Sequence, residues 1–343
     1  VTIGVLPFLG TLLRVLGADG VAFDTAHRFL MIVMPSNVLM ALAMGFSGVL
    51  RAVGDARRSM YVTLVGGLVT AVLDPLFIFG LTLGSDGAAW ATVASRAAFV
   101  LVGYWGAVKV HDLIARPQLA HVLLHARSVL FVALPAILTN LAPPIAFVVV
   151  TRSMSAFGDP AIAANAIMDR VVPLAYGGIF AMTGAIGPIL GQNWGARRFD
   201  RMTGALWNAL ILLAVYVTVV WLVLLLARDL IVLAFGVDGQ TEELLRFFTL
   251  ISGPIWLFMG LLFTANAAFN NLGFPLLATA FNWGRATLGT MPFAMIGAAM
   301  GGPRGIMIGF LLGALLFGVA AITVAFHCVR RLSTPSVDAG PVR

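Results

Sequence analysis

Residues 16–20 read LGADG and residues 235–239 read FGVDG, each closing one apolar run and opening the next. Sliding the chain on itself by 219 positions, without gaps, extends the match. It pairs Gly17 with Gly236, Asp19 with Asp238, Gly20 with Gly239, Phe29 with Phe248 and Ile32 with Ile251. Further along it pairs Pro35 with Pro254, Met40 with Met259, Leu42 with Leu261 and Gly54 with Gly273. This composition would give roughly three or four such identities by chance in a window of this length, and the matches include Pro and Gly, which set backbone geometry. The chain therefore reads as a duplicated unit.

What is duplicated follows from composition. With 60% hydrophobic residues, 10% charged residues and a mean hydropathy of +1.01, the chain lies far from the globular balance and reads as an all-α integral membrane protein. Charges gather in short segments between apolar runs of roughly 20 residues, the length a helix needs to cross a bilayer. Spans are expected at 1–16 (incomplete), 27–50, 59–83, 87–108, 127–151, 161–190, 203–227, 247–268, 275–299 and 305–328. Six of them separate the two copies, so both copies keep one orientation. That is a parallel repeat of two six-helix bundles, with the solute pathway expected between them. The register leaves 127–219 without a first-copy counterpart. About ten of twelve helices are then present, and about two and a half are expected upstream of Val1.

The expected organisation is a first bundle at 1–108, a linker at 109–126, a second bundle at 127–330 and a tail at 331–343. The linker, rich in His, Arg and Leu, suits a short interfacial helix. Loops on one side carry Arg51, Arg57, Arg58, Lys109, Arg116, Arg127, Arg197, Arg198, Arg201, Arg330, Arg331 and Arg343. Loops on the other carry Arg14, Arg28, Arg152, Arg228, Arg246 and Arg304 with most of the loop acids. This asymmetry places the C-terminus in the cytoplasm, and the expected location is the cytoplasmic (inner) membrane. It also accounts for the net charge of +7 without nucleic acid. The single cysteine, Cys328, has no partner for a disulfide or a metal site. No phosphate loop, H-E-x-x-H or G-x-S-x-G motif occurs, so neither a cofactor, a metal nor a catalytic cluster is expected.

The most informative stretch is AIAANAIMDRVVPLAYGGIFAMTGAIGPILGQNWGARRFDRM at 161–202. Asn165, Asp169 and Pro173 share one helix face, and Pro173 frees the carbonyl of Asp169. A kink is expected at Pro173, and Pro188 is a second hinge candidate. Asp169 beside Arg170 within a span marks a solute or ion pathway; the alternative is an ion pair that locks two helices. Asp74, followed by Pro75, either lines a cavity or caps a broken helix. Asn266 with Asn270, and Asn282 with Arg285, can face the bundle interior, as pathway groups or as packing glue. Asn140 and Arg96 are weaker cases of the same kind.

LRAVGDARRSM (50–60), LDPLFIFGL (73–81) and GAAWATVASR (87–96) resemble the fourth to sixth helices of the multidrug and toxic compound extrusion (MATE) family. GPILGQNWGARRFDRM (187–202) is similar to the end of its eighth helix. The resemblance implies alternating access between two bundles, exporting small organic, often cationic, compounds against H+ or Na+. The family's coupling carboxylate of the first helix would lie upstream of Val1. Acids of the sodium-coupled branch are missing here, since 128–150 and 247–290 contain no Asp or Glu, and amides such as Asn140 and the group Asn266, Asn270 and Asn271 stand there instead. Two alternatives stay open: a flippase for lipid-linked oligosaccharides, which needs several basic residues facing a cavity, with Arg96, Arg170 and Arg285 available, and a membrane protein that transports nothing.

Overall fold

The computed structural model describes residue 4 and residues 6–15, 20–114 and 119–333. Gly17 and Asp19 of the repeat lie outside them, as do residues 334–343. Among the described residues the chain is helical and contains no strand. It divides into two compact units, residues 1–118 and 119–343.

In the first unit a 3-10 turn (Leu6–Phe8) leads into α1 (Leu9–Val15), followed by α2 (Gly20–Val33), α3 (Asn37–Ala52), α4 (Ala56–Pro75) and α5 (Gly84–Tyr104). A π-turn extends α4 over Leu76–Gly80 and another extends α5 over Trp105–Val110. The second unit holds α6 (Leu119–Ser155), α7 (Asp159–Gly195), α8 (Phe199–Leu226), α9 (Arg228–Phe235), α10 (Gly239–Asn271), α11 (Pro275–Thr287) and α12 (Met291–Ser333). Of the expected linker, His111–Ile114 is not helical, 115–118 lies outside the described residues, and 119–126 opens α6.

The duplication is visible in the backbone. Helix starts at Gly20 and Gly239, ends at Ala52 and Asn271, and starts at Ala56 and Pro275 all differ by 219 residues. Gly20 and Gly239 hold φ of 56° and 54°, while Gly54 and Gly273 hold 87° and 84°. The Asp55 amide donates to Leu50 O at 2.9 Å, and the Phe274 amide to Phe269 O at 2.8 Å. The copies start the next helix differently. In the first, the Asp55 carboxylate caps it by accepting from the Arg58 amide at 3.0 Å; in the second, Pro275 occupies the first turn, where its missing N–H costs nothing.

They differ also at the shared proline. Pro254 lies within continuous α10, whereas α2 and α3 meet at a 47° bend around Pro35. Arg96 of α5 satisfies that break, donating to Val33 O at 2.9 Å, Ser36 Oγ at 2.7 Å and Asn37 Oδ1 at 2.8 Å. The second copy has Ile255 and Trp256 where the first has Ser36 and Asn37, so a break there would leave polar backbone unsatisfied in a membrane.

Among the described residues, seven helical stretches are long and apolar enough to cross a membrane, eight if α2 and α3 form one bent span. The longest, Pro275–Ser333, has 59 residues, about three times what one crossing of a bilayer needs. It folds back at Gly301 and Gly302, whose dihedrals are not helical. Glycines line the seam of the resulting hairpin. A Cβ at Gly305 would strike the carbonyl of Gly297, one at Gly309 that of Phe293, and one at Gly313 that of Gly289. Small residues let membrane helices pack backbone to backbone.

Candidate functional site

The second unit encloses a cavity of about 520 Å3 walled by α6, α7, α10, α11 and α12. Its lining is mostly aromatic and aliphatic, with four polar groups converging from three helices: Asn140, Asn165, Asp169 and Arg285.

Prolines shape two of those walls. Pro143 and Pro144 on α6 remove the amides that would bond the carbonyls of Thr139 and Asn140. Nearby, Pro135 O accepts from the hydroxyls of Thr139 at 2.8 Å and Thr279 at 2.9 Å, and Trp283 Nε1 donates to Leu138 O at 2.9 Å. These bonds join α6 to α11 beside the cavity. Asn140 turns its amide onto Ala136 O at 2.8 Å.

On α7, Asn165 Nδ2 donates to Asp169 Oδ2 at 3.0 Å. Asn165 is buried and Asp169 exposed, so the carboxylate sits at the open side with a fixed amide behind it. Among the described residues no cationic side chain is ion-paired with Asp169, whose hydrogen-bond partner is Asn165. Two and three turns further, Tyr176 and Phe180 pack against Phe263 of α10, with ring centroids 5.2 to 5.9 Å apart. The helix stays continuous through Pro173 and Pro188. Beyond Pro173, the Tyr216 hydroxyl of α8 accepts from the Gly178 amide at 3.2 Å and donates to Ala175 O at 3.1 Å.

Arg285, in the last turn of α11, is 3% exposed. Its guanidinium carbon lies 5.8 Å from the Phe310 ring centroid, and its buried Nε has no hydrogen-bond partner. No carboxylate pairs with it among the described residues.

The other sequence candidates lie elsewhere. Arg170 is exposed and does not line the cavity. Asn266 and Asn270 are on α10, each with an unpartnered buried Oδ1, and Asn282 is buried with Nδ2 on Ala278 O at 2.7 Å; none lines the cavity. Asp74 belongs to the first unit, at the junction of α4 and its π-turn, with one buried oxygen unpartnered. The aromatic wall escaped sequence reasoning, although Tyr176 and Phe180 continue the face of Asn165 and Asp169 at helical spacing. Among the described residues no group of three His, Cys, Asp or Glu side chains could hold a metal.

The MatE family model matches residues 1–76 and again residues 135–296, once in each unit. The chain belongs to the MATE family. It is 27% identical over 338 residues to a protein of Shewanella oneidensis named FAD transporter, covering 96% of this chain and 75% of that one. It is 24% identical over 337 residues to the multidrug export protein MepA of Staphylococcus aureus, covering 97% and 74%. Its fold matches the Vibrio cholerae MATE transporter VcmN with a TM-score of 0.89 at 23% identity, over 97% of this chain and 76% of that one. A Pyrococcus furiosus transporter, described as having a binding pocket of reversed polarity, matches with a TM-score of 0.88 at 22% identity, over 97% and 76%. Family membership makes this MATE protein a multi-pass membrane transporter and not an enzyme.

Proposed function

We propose that the protein exports organic solutes by secondary antiport, with H+, or alternatively Na+, competing with a cationic centre of the solute for Asp169 while the cavity opens alternately to the two sides of the inner membrane. The observation carrying this reading is the Asp169 carboxylate on the wall of an apolar cavity, held by Asn165 and, among the described residues, left without a cationic partner. A carboxylate in such a place binds a cation when ionised and releases it when protonated. The aromatic wall supports amphipathic solutes, as do the multidrug exporters among the relatives. The loop charge asymmetry supports a cytoplasmic C-terminus.

The flippase reading needs several basic groups in one cavity. Arg96 is committed to the α2–α3 break and Arg170 lies off the cavity, which leaves Arg285. The test is release of a fluorescent aromatic amine from proteoliposomes under an imposed pH or sodium gradient. Gradient-driven release well above protein-free vesicles is expected; release equal to the passive leak contradicts the reading.

A further inference from the structure

Arg285 is the group the transport reading leaves unused, and it is the costliest side chain in the cavity. A guanidinium stays charged under all ordinary conditions, so unlike a buried lysine it cannot shed its charge to fit an apolar site. Burying an ion without a counter-ion is strongly unfavourable. Phe310 beneath it offers a cation–π contact, which is weaker than a counter-ion and does not cover that cost. Its Nε has no hydrogen-bond partner and no carboxylate pairs with it among the described residues. Yet Asp169 lines the same cavity, and among the described residues it too lacks an ionic partner. The protein thus keeps two opposite charges in one cavity without joining them, and the same cavity is lined by the rings of Tyr176, Phe180 and Phe263.

From this juxtaposition we infer that the cavity binds an aromatic zwitterion, whose anionic group (carboxylate or phosphate) accepts from Arg285 and whose cationic group lies on Asp169. A planar fork matches two oxygens of either anion. The ring stacks on the Tyr176–Phe180–Phe263 wall. The inference rests on the transport reading for Asp169, since the coupling ion would displace only the cationic end, but it is tested by binding alone.

The test is equilibrium dialysis of the purified 343-residue chain in detergent with four probes sharing one ring: 3-(1-naphthyl)alanine, its N-acetyl derivative (anion only), its methyl ester (cation only) and its aminophosphonate analogue. The free amino acid or the aminophosphonate should bind at least tenfold more tightly than either singly charged probe; which of the two leads names the anion. Arg285→Gln, or Arg285→Met as a neutral replacement of similar volume, should bring naphthylalanine down to the level of the ester without changing the ester's own affinity. The ester binding as tightly as the amino acid overturns the role of Arg285, and the N-acetyl derivative doing so overturns the zwitterion. Absence of binding by all four probes overturns the inference as well. The parent's ranking decides even if neither variant folds. Zwitterion binding without gradient-driven movement would sink the transport reading and leave this inference standing.

Discussion

Gly54 and Gly273, 219 residues apart, hold the same turn at φ of 87° and 84°, each between a long helix and the next. Both are positions where a Cβ is strained. Gly54→Ala and Gly273→Ala should each cost about 1–2 kcal/mol, read as a lowered thermal midpoint of the purified protein. A fall for one without the other would argue against equivalent turns.

Asp55 caps α4 and also bonds Arg58 and His111, at 2.5 and 2.7 Å. The His111 bond first, then the amide and guanidinium of Arg58, hold its carboxyl well below the usual carboxylate range. With the folded value depressed, its contribution is complete above the unfolded value of about 4 and is lost as pH falls through the folded one. Asp55→Ala should therefore destabilise the protein by about 1 kcal/mol near pH 7, with the difference from the parent shrinking in strongly acidic buffer. A difference that grows on acidification contradicts this.

The hairpin of α12 depends on carbonyls meeting bare Cα atoms. Gly305→Val or Gly313→Val should prevent that approach and sharply reduce the yield of monodisperse protein in size-exclusion chromatography. Gly301→Ala, where nothing lies within 4 Å, should be far milder. Equal behaviour of the three variants would show that the seam is not close packed.

Loop charges predict which ends share a compartment. Reporter fusions within 111–127 and after Arg331 should face the cytoplasm, and fusions near Gly84 and Asp238 the opposite side. One fusion reporting from the wrong side breaks the parallel repeat.

The repeat, the spans and the Asn165–Asp169 face could be read from sequence because each is a matter of spacing along one chain segment. The difference between Arg96 and Arg285 could not. Both are arginines within apolar helices, but the partners of Arg96 lie about 60 positions away in the break around Pro35. Whether a side chain finds such partners depends on how neighbouring helices are rotated. For the same reason Asn266, Asn270 and Asn282, with the right spacing for an interior face, fall outside the cavity, while Phe263 on another helix joins Tyr176 and Phe180 in the aromatic wall. Pro35 and Pro254 occupy matched positions, and only their polar or apolar neighbours decide which helix breaks.

The central claim is that Asp169 couples the solute to the ion. It is tested most directly by comparing Asp169→Asn with the parent in proteoliposomes, following solute release across a series of imposed pH gradients. Asparagine keeps the shape and the contact with Asn165 but cannot change charge. Release by Asp169→Asn should lose its dependence on the gradient and fall at least tenfold under the steepest one. Undiminished release with the parent's pH dependence, while Asp169→Ala lowers only the amount of folded protein, would contradict it.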